Sequence, residues 1–298
     1  MSINLSAAEL KRETEQLGRM YGVAPQHSKG QNFLIEPKVY RTIIKAAELE
    51  PTDEVLEIGP GWGFLTMSLA EKVKRVVSVE LDHRLAEILP DRLTIAGHNN
   101  IEIINQDILK TVINRPDLAD SGKLSNLNIA ANYKIVANLP YNITSVCLKR
   151  FLAGEVERPK AMVVLVQDEV ALRLTAKPGD LSLLGLMAQY YSQVDYIAAV
   201  PANNFLPKPK VNSAIVRFRL IKPVLSANKE KLFWRLAKIG FSARRKMLKN
   251  NLSAGLAIDE KIIATTLEKA NLKTTCRAQD LSVDDWITLV ALLEKIVV

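Results

Sequence analysis

The sequence predicts an α/β protein, with a mostly parallel sheet covered by helices on both faces and a smaller all-helical domain at its C-terminal end. Three observations carry this expectation. Short apolar runs alternate with helical periods over the first 220 residues. Those runs do not alternate polar with apolar, which suits strands buried on both faces. Beyond residue 221 only helical periods recur. At 298 residues, 48% of them hydrophobic and 24% charged, the chain has an ordinary globular composition and enough apolar material for a sizeable core.

In order along the chain, residues 5–20 set Leu5, Leu10 and Leu17 among Glu9, Lys11, Arg12, Glu13 and Glu15, a short amphipathic helix rather than a secretory signal. Residues 54–58 form an apolar strand, followed by Gly59-Pro60-Gly61-Trp62-Gly63 and a helical pattern through Phe64, Leu65, Met67, Leu69 and Ala70. Residues 75–81 are too β-branched for a helix. Asp82 can cap the helix that follows, whose buried face carries Leu85, Ile88 and Leu89. Further strands are expected at 101–105, 133–137, 160–167, 193–199 and 213–220. Residues 221–228 read as a linker, and helical periods follow at 229–239, 242–252, 259–270 and 282–296. The expected boundary lies near 221, with residues 1–220 as the sheet domain and 221–298 as the helical one.

Composition excludes several classes. No run approaches the roughly 18 apolar residues of a membrane span, so a cytoplasmic protein without a membrane partner is expected. Cys147 and Cys276 stand far apart and read as small buried apolar residues, not a disulfide framework. His27, His83 and His98 lack the paired spacing of a zinc site, and no metal is expected. The net charge of +8 is unevenly spread: residues 207–250 hold thirteen Lys/Arg against Glu230 alone, while the remainder has 27 basic and 31 acidic residues, about −4. A basic segment on a neutral-to-acidic body suits a polyanionic partner, although a solvated basic face has the same composition.

The Gly loop lies between a strand and a helix, where the chain must turn sharply and let a ligand touch backbone. Glu80 ends the next strand, 21 residues after Gly59, where a carboxylate can accept both ribose hydroxyls of an adenosine. Asp107 follows the third strand and can meet an adenine amine. Three consecutive strands thus bring Gly59 and Gly61, Glu80, and Asp107 to one sheet edge, a nucleoside site. The spacing G-x-G-x-G differs from the dinucleotide fingerprint G-x-G-x-x-G, since Phe64 holds the sixth position. A methyltransferase is favoured over a NAD(P) enzyme, which stays as the rival.

Asn138-Leu139-Pro140-Tyr141 follows the apolar residues 134–137 and emerges at the same carboxyl edge. Its chemistry suits an adenine N6 amine, a poor nucleophile whose lone pair is delocalised into the ring. The Asn138 side-chain oxygen and the Leu139 carbonyl can each accept one N–H and stabilise positive charge as a methyl arrives. Pro140 restricts the backbone direction. Tyr141 offers a stacking face, worth roughly 1–3 kcal/mol per base in single-stranded recognition.

Together these residues resemble the KsgA-type ribosomal RNA adenine N6,N6-dimethyltransferases, over nearly the whole chain. Gly30-Gln31-Asn32-Phe33-Leu34 matches the motif GQNFL, which packs over the cofactor. Val200-Pro201 and the segment from Phe205 to Ser213 match VP…F-x-P-x-PKV-x-S. Phe241 to Leu252 resembles the helix F-x-x-RRK-x-L-x-NNL, and Arg277, Leu281 and Trp286 match the closing pattern. Two departures stand out: His27-Ser28-Lys29 replaces a longer basic run, and Leu181 to Leu186 replaces a Tyr-Gly…Leu-Ser stretch.

The resemblance implies a Rossmann-like S-adenosylmethionine-dependent methyltransferase sheet, with cofactor contacts at Asn32, Leu34, Gly59, Glu80, Asp107 and Asn138. It implies that Phe205 and Tyr141 sandwich the target base. The implied substrate is a pair of adjacent adenines in the 3′-terminal hairpin loop of small-subunit rRNA, each methylated twice within a 30S assembly intermediate. Lys208, Lys210, Arg244, Arg245, Lys246 and Lys249 would contact RNA, and a monomer is expected. Trp62 reads as packing. The competing functions are an erythromycin-resistance-type methyltransferase of large-subunit rRNA and a non-catalytic assembly factor on the same scaffold.

Overall fold

The computed structural model describes residues 5–25, 30–114 and 125–297; the departure at His27-Ser28-Lys29 lies outside them. Eleven strands are described: β1 (Phe33–Leu34), β2 (Glu54–Ile58), β3 (Arg75–Glu80), β4 (Ile101–Asn105), β5 (Thr111–Ile113), β6 (Ser125–Leu127), β7 (Lys134–Asn138), β8 (Ala161–Gln167), β9 (Ser192–Val200), β10 (Phe205–Leu206) and β11 (Ser213–Leu220). Seven make the main sheet, in the order β4-β3-β2-β7-β8-β11-β9. The five strands from β4 to β8 run parallel, and β11 is antiparallel to β8.

The order follows from burial. Every residue of β2 is buried, as are the interior residues of β8 and all of β7 up to Asn138, so these strands need cover on both faces and sit centrally. The half-exposed β4 takes the edge. After β2 the chain winds outward through β3 and β4, then returns to place β7 on the other side of β2. That reversal opens a crevice beyond the carboxyl ends of β2 and β7, where ligands of open α/β sheets bind.

Helix starts follow the local chemistry. The first helix (Ala7–Met20) opens with a reciprocal capping box between Ser6 and Glu9. Glu36 caps the helix Pro37–Ala46, with its Oε1 accepting from Lys38 N and Pro37 in the first turn. Asp82 caps the helix His83–Ile95 by accepting from Arg84 N at 3.1 Å. The helix Phe64–Ala70 instead starts from Gly63 at φ +81°, where a Cβ would lie 2.8 Å from Leu89 Cδ2.

The chain separates into two compact units, residues 1–171 with 194–220, and residues 172–193 with 221–298. The second unit therefore takes in more than the C-terminal stretch. Its helices are Leu183–Tyr191, Ala227–Gly240, Leu248–Leu256, Glu260–Lys269 and Val283–Val297. Aromatic packing accounts for the inclusion of the first: Tyr190 meets Phe233 at 4.5 Å between ring centroids, and Trp234 Nε1 donates to the Tyr191 hydroxyl at 2.9 Å. Gln279 O also accepts from Gly179 N at 2.8 Å and from Leu181 N at 3.2 Å. Cys147 and Cys276 are buried free thiols.

The helical period expected from 242 begins only at Leu248. The buried Asn251 explains the delay, since its Nδ2 donates to Gly240 O at 2.7 Å and Ala243 O at 3.1 Å. Those bonds hold residues 241–246 as a turn, which carries Arg244, Arg245 and Lys246 into solvent. No described helix is long and apolar enough to cross a membrane.

Candidate active site

The Gly loop leaves β2 with Gly59, Gly61 and Gly63 at φ +69°, +58° and +81°, a backbone path that side-chain-bearing residues rarely follow. At Gly61 the space is also taken, because a Cβ would stand 3.2 Å from the Phe33 ring. Gly59 N donates to Val79 O at 2.9 Å, which joins the start of the loop to β3. Glu80 closes the loop from the other side. Its Oε2 accepts from Gly61 N at 3.2 Å and its Oε1 from Asp82 N at 2.8 Å. Burial raises the Glu80 pKa, and these backbone donors oppose the rise. Asp107 caps the turn Ile108–Lys110 through Leu109 N at 2.9 Å.

Beneath the loop lies Glu57, 1% exposed, with Oε2 accepting from the hydroxyls of Thr66 and Ser78 at 2.7 Å each. Burial pushes its pKa up to about 7, against the pull of the two hydroxyls. Glu57 lies within β2, and nothing in its local sequence distinguishes it from a strand residue turned to solvent.

Asn138 ends β7 opposite Leu165 of β8, and Leu139 N donates to Leu165 O at 3.1 Å, so the loop leaves the sheet from a rigid base. The Pro140 carbonyl is engaged by Ile143 N at 3.2 Å and Thr144 Oγ1 at 3.1 Å. Asn138 Nδ2 donates to Asn32 O at 3.2 Å. The Tyr141 hydroxyl pairs with Ser213 Oγ at 2.7 Å, which anchors the far end of the ring, and burial raises its pKa.

Gly59, Gly61, Glu80, Asp107, Asn138 and Tyr141 line one cleft. Asn32, Leu139 and Pro140 line it too. Leu34 and Phe205 are not among its lining residues. They pair with each other across β1 and β10, each 2% exposed, and Leu34 O accepts from the Tyr40 hydroxyl at 2.7 Å. Neighbouring side chains on extended backbone point to opposite sides. Phe33 therefore faces the cleft and Leu34 does not. Leu81 and Ile108, with no role expected from the sequence, are also among the lining residues. The available signal was position, since each directly follows an acid at the sheet edge, and Leu81 is 56% exposed.

The RNA-contact candidates fall into separate groups. Lys208 and Lys210 are exposed on the segment after β10. Arg244, Arg245 and Lys246 are exposed on the turn of the second unit, whereas Lys249 Nζ is paired with Glu260 at 2.6 Å. Two other cations of the basic segment, Arg217 and Arg219, bind Asp195 and Glu48 within the first unit. Among the described residues no group of three or more His, Cys, Asp or Glu could hold a metal ion.

The residues of the cleft fit S-adenosylmethionine: Gly59 and Gly61 bring bare backbone to it, Glu80 is a carboxylate fixed at both oxygens that could take ribose hydroxyls, and the apolar Leu81 and Ile108 beside Asp107 could receive a purine. A parallel sheet with this loop at its switch point, acids after the next two strands and an amide-bearing loop beside them defines the Rossmann-like S-adenosylmethionine-dependent methyltransferases. The ribosomal RNA adenine dimethylase family matches residues 25–295. The chain belongs to that family.

Relatives agree over almost the full length. The chain is 38% identical to the ribosomal RNA small subunit methyltransferase A of Dehalococcoides mccartyi (strain CBDB1) over 282 residues, 94% of this chain and 92% of that one. The Enterococcus faecalis (strain ATCC 700802 / V583) protein of the same name is 36% identical over 290 residues, 95% of each chain. Among solved structures, a dimethyladenosine transferase from Plasmodium falciparum aligns with TM-score 0.74 and 26% identity, covering 88% of this chain and 98% of that one. The 23S rRNA methyltransferase ErmE aligns with TM-score 0.70 and 27% identity, covering 88% and 100%.

Proposed function

We propose that the chain transfers methyl groups to the N6 amines of two adjacent adenines in the 3′-terminal hairpin loop of small-subunit rRNA, giving N6,N6-dimethyladenine during ribosome assembly. S-adenosylmethionine supplies the methyl as an electrophilic sulfonium group. The chain's own residues align the nucleophile and hold developing charge. One observation carries the reading: the Asn138 amide stands in the same cleft as the Gly loop and the Glu80 carboxylate, with its NH₂ turned to Asn32 O and hence its oxygen available to the cleft.

In this reading Asn138 Oδ1 and the Leu139 carbonyl accept the two N–H groups of the target amine. Their pull localises the nitrogen lone pair and stabilises the positive charge that grows on that nitrogen. Tyr141 supplies a stacking face whose hydroxyl end is tethered to Ser213. Phe205 supports β1 from behind through its pairing with Leu34, and its proposed sandwich with Tyr141 calls for a move of its ring into the cleft when RNA binds. Glu80 takes the ribose hydroxyls, and Asp107 takes the adenine amine of the methyl donor. Arg244, Arg245 and Lys246, with Lys208 and Lys210, contact phosphates. A monomer acting in the cytoplasm on a 30S assembly intermediate completes the reading.

The similarity to a 23S rRNA methyltransferase means that fold alone does not choose the ribosomal subunit. The near-full-length identity to small-subunit methyltransferases favours the small one. Mass spectrometry of rRNA after incubation of small- and large-subunit particles with protein and labelled S-adenosylmethionine separates the two. Dimethyladenine in the small subunit alone is expected, and label confined to the large subunit overturns the proposal. Asn138→Ala should abolish transfer while RNA binding is retained.

A further inference from the structure

An asparagine amide can present either a donor or an acceptor to a substrate, so its use as an acceptor requires something to choose the orientation. The strap formed by residues 30–34 makes that choice. We infer that the main-chain carbonyl of Asn32 is a positioning group for methyl transfer: it takes the Asn138 NH₂ and so turns the Asn138 oxygen toward the amine to be methylated. The inference rests on the reading of Asn138 as the acceptor for that amine.

The geometry leaves little alternative. Asn138 Nδ2 lies 3.2 Å from Asn32 O. With the amide turned over, two oxygens would face each other with no proton between them, and the cleft would receive a donor where the target amine needs an acceptor. The strap that carries this carbonyl is held by three contacts around it. Asn32 Nδ2 folds back onto Gly30 O at 3.2 Å, and Gln31 Nε2 donates to Asp82 Oδ2 at 3.2 Å. Phe33 pairs with Leu206 in the β1–β10 ladder. The strap also presses directly on the catalytic loop. Gly30 has φ +64°, and a Cβ there would lie 3.0 Å from Asn142 Oδ1 and 3.4 Å from Tyr141 N. A segment expected only to cover the cofactor thus sets the orientation of the group that meets the substrate.

The test is Asn138→Asp, assayed by single-turnover methylation of unmodified small-subunit particles at saturating S-adenosylmethionine. An ionised carboxylate cannot donate to Asn32 O, whereas a protonated one restores a donor there and keeps an acceptor for the substrate. The ratio of variant to wild-type rate should therefore rise as pH falls, by about tenfold per pH unit above the carboxyl pKa. A ratio that is flat, or that rises with pH as an unrestrained anionic acceptor would give, overturns the inference. Should Asn138→Asp be inactive at every pH, Gly30→Ala decides: displacement of the strap should slow single turnover roughly 10–100-fold, with the fold intact by circular dichroism. An unchanged rate in Gly30→Ala overturns the inference. Failure of the wild type to methylate would instead remove the proposed function itself.

Discussion

The Glu80 carboxylate accepts the backbone N–H of Gly61 at 3.2 Å, so the acid that ends β3 also ties down the loop that leaves β2. Its other oxygen accepts from Asp82 N. Both oxygens are thus fixed before any ligand arrives, which lowers the ordering cost of binding. Glu80→Gln puts an NH₂ against one of these backbone donors and removes the charge. Affinity for S-adenosylmethionine is expected to fall roughly 10–100-fold, about 1.4–2.8 kcal/mol. Isothermal titration calorimetry measures this, and an unaltered Kd would remove Glu80 from the cofactor site.

Glu57 makes stability depend on pH in the direction opposite to most carboxylates. Its folded pKa is raised from 4.5 to about 7 by burial, so between those values the folded state binds more protons than the unfolded one. The contribution of Glu57 to stability is full below pH 4.5 and is lost as pH rises through about 7, by at most on the order of 3 kcal/mol. Glu57→Gln keeps an acceptor for Thr66 and Ser78 and cannot ionise. Chemical denaturation at pH 5 and pH 8 should show the wild type losing stability across this interval and the variant losing less. Parallel pH curves for the two proteins would contradict this account.

The contrast between Glu57 and β1 shows which features could be read in the sequence. Strands β2, β3, β7 and β8 are buried along nearly their whole length and are built round apolar, largely β-branched residues, a pattern visible without knowledge of their partners. The Gly loop follows β2, Glu80 and Asn138 end β3 and β7, and Asp107 stands two residues after β4, so their convergence at one edge was legible too. The pairing of Phe33 and Leu34 with Leu206 and Phe205 was not, because it joins two-residue strands more than 170 positions apart. The same holds for the ion pairs of Arg217, Arg219 and Lys249, which turn part of a basic segment into internal structure. Local patterns also failed at residues 241–247, where one buried asparagine holds a turn against a helical period.

In the second unit, Gly240 ends its helix against the fully buried Trp286. A Cβ at this position would lie 2.5 Å from Trp286 Cη2 and 2.9 Å from Leu248 Cδ1. The indole is confined by the surrounding core and cannot swing away as a surface side chain could. Gly240→Ala is therefore expected to destabilise this unit by about 1–3 kcal/mol, although alanine is otherwise the better helix former. Differential scanning calorimetry should show a lowered transition, by roughly 4–8 °C per kcal/mol for a unit of about one hundred residues. An unchanged or raised transition would mean that the core relaxes around the added methyl.

The cations of the turn and the adjoining helix should differ in what they contribute to RNA binding. Arg244, Arg245 and Lys246 are exposed on a turn whose Ala243 carbonyl is held by Asn251, while Lys249 already has Glu260 at 2.6 Å. A cation that neutralises a phosphate releases a counterion, so each such contact adds about 0.7–0.9 to the slope of log affinity against log salt. Replacing Arg244, Arg245 and Lys246 together by alanine should reduce that slope by roughly 2–3 and weaken binding to the small-subunit hairpin, with affinity for S-adenosylmethionine unchanged. Lys249→Ala should move the slope less than any of these three replaced singly, because release from Glu260 offsets its gain from a phosphate. Filter binding across a salt series reads both effects. A larger change for Lys249 than for Arg244 would show that the ion pair opens on binding and that the helix, rather than the turn, carries the phosphate contact.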